Sequence, residues 1–122
     1  MALVSRFIRI NGLTRTDRHQ VIGELDEVIS KSGAWILDFK MFSNTSINLL
    51  FEMPVRNIHK LYSSLSESNV KLYEESIQVL QDADNQQKQL RDESLFDIIG
   101  TLEVTFIHNE PDLRIEVPPF DL

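Results

Sequence analysis

Along the chain the spacing of apolar side chains switches between period two and the three-to-four spacing of a helix, and each switch marks an element. Residues 3–10, LVSRFIRI, are rich in β-branched and aromatic side chains and run into the turn dipeptide Asn11-Gly12, which predicts a first strand ending there. From Arg18 to Ser32 the apolar residues Val21, Ile22, Leu25, Val28 and Ile29 line one side of a helix, with Glu24, Asp26, Glu27 and Lys31 between them. Thr16 or Asp17 caps its start, Gln20 holds the capping-box position relative to Asp17, and Gly33 stands where a helix ends in a left-handed residue.

Two strands follow. In 34–42 the residues Trp35, Leu37, Phe39 and Met41 share one parity and Asp38 and Lys40 the other; in 46–53 Ile47, Leu49, Phe51 and Met53 oppose Ser46, Asn48 and Glu52. The polar link Ser43-Asn44-Thr45 suits a hairpin between them. Pro54 fits the first position of a second helix, in which Val55, Ile58, Leu61, Tyr62 and Leu65 recur at helical spacing as far as Ser66. Residues 70–80 predict a fourth strand interrupted by Glu74-Glu75, and the polar run 81–94 an exposed loop or frayed helix. Residues 95–108 keep Phe96, Ile98, Leu102, Val104 and Phe106 on one parity, with Gly100 as a bulge or bend. The turn Asn109–Asp112 and the alternation of Leu113, Ile115 and Val117 close a C-terminal hairpin.

A chain of 122 residues with 42% apolar side chains supports one domain with one core. It divides into a core at 1–80, a polar linker at 81–94 and a hairpin extension at 95–122 packed on the same domain. No cysteine is present, which removes disulfides, thiolate metal sites and cysteine nucleophiles. MALVSRFIRI is too short in apolar residues for a signal peptide, and no window approaches a membrane span, so the expectation is a cytoplasmic protein that does not engage membranes. A net charge of −7 repels phosphate backbones, and Arg6 and Arg9 fall on opposite faces of a strand, so nucleic acid is not an expected partner.

Strand, helix, strand, strand, helix, strand over 3–80 is the order of an α+β, ferredoxin-like βαββαβ sandwich, here with an additional C-terminal β-hairpin. Within it, Asp17-Arg18 and, after the helix, Gly33-Ala34, Ile36 and Asp38 resemble the opening of an ACT domain, a small regulatory module. The resemblance implies an amino-acid ligand at the loop before the first helix, which carries over to Asn11, Gly12, Asp17, Arg18, His19 and Gln20. His19-Gln20 stands where the family has the Pro-Gly that admits the ligand to the helix amides.

The remaining chemistry is sparse. His19, His59 and His108 share no metal-ligand spacing, and Glu74, Glu75, Asp82 and Asp84 have no base or nucleophile to partner them, so neither a metal, a cofactor nor a catalytic residue is expected. His59 reads as a solvated helix residue and Trp35, Phe39, Phe51 and Phe106 as core. Apolar residues on the second sheet face, Ile36, Phe42 and Leu50, need a cover, either the C-terminal hairpin folded across them or a second subunit, and a homodimer is the expectation. The expectation is a non-catalytic ACT-like regulatory or interaction module, dimeric, that meets a protein partner through 81–94 and the hairpin; a small-molecule sensor binding an amino acid is the alternative.

Overall fold

In the computed structural model, which describes residues 6–43, 45–91 and 96–107, the apolar patterning resolves into eight principal elements. They are β1 (Phe7–Thr14), α1 (Arg18–Lys31), β2 (Trp35–Phe42), β3 (Ser46–Pro54), α2 (Ile58–Ser66), β4 (Lys71–Leu72), α3 (Glu74–Gln87) and β5 (Asp97–Phe106), with a 3₁₀ turn at Val55–Asn57 leading into α2. The class is α+β, a mixed five-stranded sheet in the order β2-β3-β5-β1-β4. The helices pack side by side over one face of that sheet, α2 between α1 and α3.

This is not a simple βαββαβ sandwich. β5 lies between β3 and β1, antiparallel to the first and parallel to the second, from Phe7↔Ile99 to Thr14↔Phe106. The stretch expected as the start of a peripheral hairpin is therefore the central strand, and the core at 1–80 is not closed without it. Its alternation drives the placement: Ile98, Leu102, Val104 and Phe106 meet Ile8 and Ile10 of β1 and Ile47, Leu49, Phe51 and Met53 of β3 in one buried cluster. A strand buried between two neighbours loses no backbone hydrogen-bonding group to water, which an added edge strand would. The second hairpin strand, at 113–117, lies outside the described residues, as does His108.

Gly100 is neither bulge nor bend. It keeps regular register with Ile8 on one side and Phe51 on the other. A Cβ there would stand 2.5 Å from Phe51 Cζ and 2.9 Å from Ile8 Cγ1, so the glycine makes room for a buried ring. Gly12 plays a similar part: a Cβ would meet the Lys71 carbonyl at 2.8 Å. Paired with Val104 and Leu72, Gly12 continues β1 to Thr14, and tertiary pairing overrides the turn signal of Asn11-Gly12.

The region 70–80 also departs from its expected strand. Only Lys71 and Leu72 pair, with Leu13 and Gly12, and the chain then enters α3. Glu74 and Glu75 fall in the first turn of this helix, where negative charge meets the positive end of the helix dipole. Buried Ser76, Leu80, Ala83 and Asp84 recur at helical spacing, so the helix runs through the expected boundary at residue 80 and on to Gln87. Pro54 ends β3 in extended conformation instead of opening α2.

Gly100→Ala is expected to destabilise the fold by about 1–3 kcal/mol, because overpacking against the buried Phe51 ring outweighs the smaller backbone-entropy gain of losing a glycine. The midpoint of urea unfolding followed by circular dichroism measures it.

Candidate functional site

The β1–α1 connection is held by backbone and side-chain hydrogen bonds, with Thr14 buried and Asn11, Asp17, His19 and Gln20 exposed. Asn11 donates its N–H to Ser76 Oγ at 2.7 Å and accepts from the Tyr73 N–H at 3.1 Å, which ties β1 to the start of α3. Thr14 is buried; its hydroxyl donates to the Asn69 carbonyl at 2.7 Å and accepts from the Thr16 N–H at 3.1 Å. Asp17 is the N-cap of α1, accepting from the N–H groups of His19 at 3.0 Å and Gln20 at 3.4 Å. The Gln20 amide reaches forward to Glu24 at 3.3 Å. Asn11 and Gly12 thus stand within a strand and Asp17, Arg18, His19 and Gln20 around the first turn of α1, joined by a filled, capped turn. The end of α1 is a Schellman closure: Gly33, at φ +71°, donates to Ser30 and Ala34 donates to Ile29, both at 3.0 Å.

Glu24 binds α1 to the turn after α2. Its carboxylate accepts from the Asn69 backbone N–H at 3.0 Å and side-chain amide at 2.6 Å. The backbone hydrogen bond from Asn69 is the main cause that holds the Glu24 carboxyl below its usual range.

A second polar cluster joins α2 to α3. Asp84, with a side chain only 10% exposed, accepts from His59 Nδ1 at 3.3 Å, from Lys88 Nζ at 3.4 Å and from the Gln87 amide at 3.0 Å. Burial pushes the Asp84 carboxyl up; the hydrogen bonds of Gln87 and Lys88 and the charges of Lys88 and His59 outweigh it and hold the group below its usual range. On the other side of the imidazole, His59 Nε2 lies 3.4 Å from Ser63 Oγ. The order Ser63, His59, Asp84 is that of an acyl-transfer relay. Its nucleophile end is nevertheless mid-helix, where the surrounding N–H groups donate within α2 and leave none to hold an oxyanion. The cluster works as a clamp between two helices. Its signal in the sequence was slight, because Asp84 lies in a polar run that gave no reason to pair it with His59.

The largest departure from the expected core lies at β2. All eight residues of this strand are exposed, and Trp35, Ile36, Leu37, Phe39, Met41 and Phe42 are each between 37 and 48% exposed. Two causes combine. Among the described residues β2 is the sheet edge, paired on one side, with β3. A β-bulge between Ile36 and Asp38 then reverses the parity: Ile36, Phe39 and Met41 pair with the buried Phe51, Leu49 and Ile47, whereas Trp35, Asp38, Lys40 and Phe42 pair with Glu52, Leu50, Asn48 and Ser46 of the opposite face. An uninterrupted alternation would have placed Trp35 with Phe39. An open apolar groove separates the strand from α1, lined by Ile22, Gly23, Leu25 and Asp26 of the helix and Ile36, Phe39 and Leu49 of the sheet.

Among the described residues no helix is long and apolar enough to cross a membrane, and no group of three metal-ligating side chains converges. Comparison with protein-family models, with curated proteins and with solved structures finds no match to this chain.

Because the folded Asp84 pKa is depressed, its contribution to stability is complete above the ordinary carboxylate range near pH 4 and is lost as pH falls below it. Asp84→Asn is expected to lower the unfolding free energy at pH 7 by about 1 kcal/mol, with the gap to the parent narrowing below about pH 4. Urea titrations at neutral and acid pH measure both.

Proposed function

We propose that the chain is a non-catalytic, ACT-like regulatory or protein-interaction module that works as a homodimer, with β2 as its contact surface. The observation that carries this reading is the concentration of exposed large apolar side chains on one strand that, among the described residues, is the edge of the sheet. Side chains of this kind scattered singly over a surface need no explanation; six on one eight-residue strand, with Ile36, Phe39 and Met41 on the helix side and Trp35 and Phe42 on the opposite side, gather along one edge of the sheet, a concentration of the sort that marks association. The edge adds unpaired N–H and C=O groups, which another strand can satisfy by continuing the ladder. Resemblance at Asp17-Arg18 and Gly33-Ala34 supports the ACT-like part of the reading.

The expected contact has moved relative to the sequence reading. Residues 97–106 form the central strand and 81–87 belong to α3, while 108–117 lie outside the described residues. The β1–α1 turn, with Asn11, Thr14 and Asp17 engaged internally, gives the amino-acid sensor no comparable support.

Sedimentation equilibrium at micromolar concentration is expected to give twice the 14.1 kDa of one chain. Phe39→Glu, which replaces an exposed side chain, is expected to return the mass to one chain while leaving the circular dichroism spectrum unchanged. A parent that sediments as a single chain, together with a thermal shift on adding free amino acids, would overturn this reading in favour of a sensor.

A further inference from the structure

The unpaired edge of β2 is self-complementary in one register. Paired residues of an antiparallel ladder share a face, so a two-fold axis normal to the sheet must pass through a residue, not between two. Centring on Asp38 sets Asp38 against its own copy, and centring on Lys40 does the same for lysine, both destabilising. Centring on Phe39 sets each Asp38 opposite the other strand's Lys40, twice over, on the face turned away from the helices.

The rest of the strand fits the same centre. The bulge makes Ile36 and Leu37 share one ladder position, which leaves three positions on either side of Phe39 within Trp35–Phe42. Ile36 with Leu37 then faces Met41 of the second copy on the helix side, and Trp35 faces its Phe42 on the opposite side. Without the bulge, Trp35 would face beyond Phe42 into the turn. The backbone has a matching feature: the Phe39 N–H donates to the Asp38 carboxylate at 2.9 Å, a local bond within the strand. Strand pairing would give it the carbonyl of the other Phe39 and release Asp38 to Lys40.

We propose that a second copy of this chain pairs antiparallel with β2 about a two-fold axis through Phe39, locked by reciprocal Asp38–Lys40 pairs. The proposal rests on the reading of the chain as a homodimer and adds its register, one that meets the requirement of a closed two-fold interface that each side offer what the other needs.

The test uses the full chain and three variants, Asp38→Lys, Lys40→Asp and the double exchange D38K/K40D. All three change exposed side chains, and their unfolding midpoints serve as the control for folding. Each single variant sets like charges opposite one another twice, and its dimer dissociation constant is expected to rise about tenfold or more. The double exchange is expected to restore the parent value. An equimolar mixture of the two single variants is expected to recover the dimer mass, because every 38–40 pair in the mixed species is opposite in charge. A dimeric parent whose single variants associate unchanged, or whose double exchange and mixture fail to recover, overturns the register and leaves the homodimer standing. A parent of one-chain mass overturns both.

Discussion

The fold depends on one close approach, that of the Phe51 ring to the bare α-carbon of Gly100. With Phe51 on β3, Gly100 on β5 and Ile8 on β1 in a single row across the sheet, the space that a side chain at 100 would need is filled by an aromatic ring and an isoleucine branch. The row lets a large side chain and a missing one interdigitate, the pairing of volumes that close-packed interiors require. Everything on the helix side follows: β3 and β1 are held apart by one strand's width, and three helices rather than two are needed to cover the wider sheet. α3 supplies the third, moored to β1 through Asn11 and to α2 through Asp84.

How much of this the sequence disclosed differs between elements, for physical reasons. α1 was legible to its caps because its signals are local: Asp17 bonds two and three residues on, and Gly33 closes a helix by its own backbone. The hairpin of β2 and β3 was legible for the same reason. The place of β5 was not, since its alternation says that one face is buried and nothing about which strands lie beside it. α3 was misread because Tyr73 and Val79 raise β-propensity over a segment whose buried residues follow helical spacing. The bulge at Leu37 left no mark in a strand whose apolar residues occupy both parities, and it inverted the expected faces of Trp35 and Ile36 alike.

The two candidate chemistries separate on a similar principle. The residues around 11–20 carry the polar groups that a ligand would need, but the hydrogen bonds seen there join the turn to α1, and β1 to the segments around α3 and Asn69. β2 is the reverse case, an element whose large apolar side chains stay well exposed within the described chain and whose Phe39 amide is bonded by its own neighbour's carboxylate. Asp38 and Lys40 in the middle of the strand discourage indiscriminate edge-to-edge stacking while permitting one partner in one register.

The central position of β5 also carries a consequence for biosynthesis. β1 and β5 pair across roughly ninety residues, Phe7 with Ile99, so the two strands cannot meet until most of the chain has left the ribosome. Until then the inner edges of β1 and β3 have no partner, and the apolar faces of α1 and α2 have only part of a sheet to cover. A nascent chain of this topology presents adhesive edges from the synthesis of β1 until that of β5 and loses them in one step, which makes β5 the strand that commits the sheet to folding.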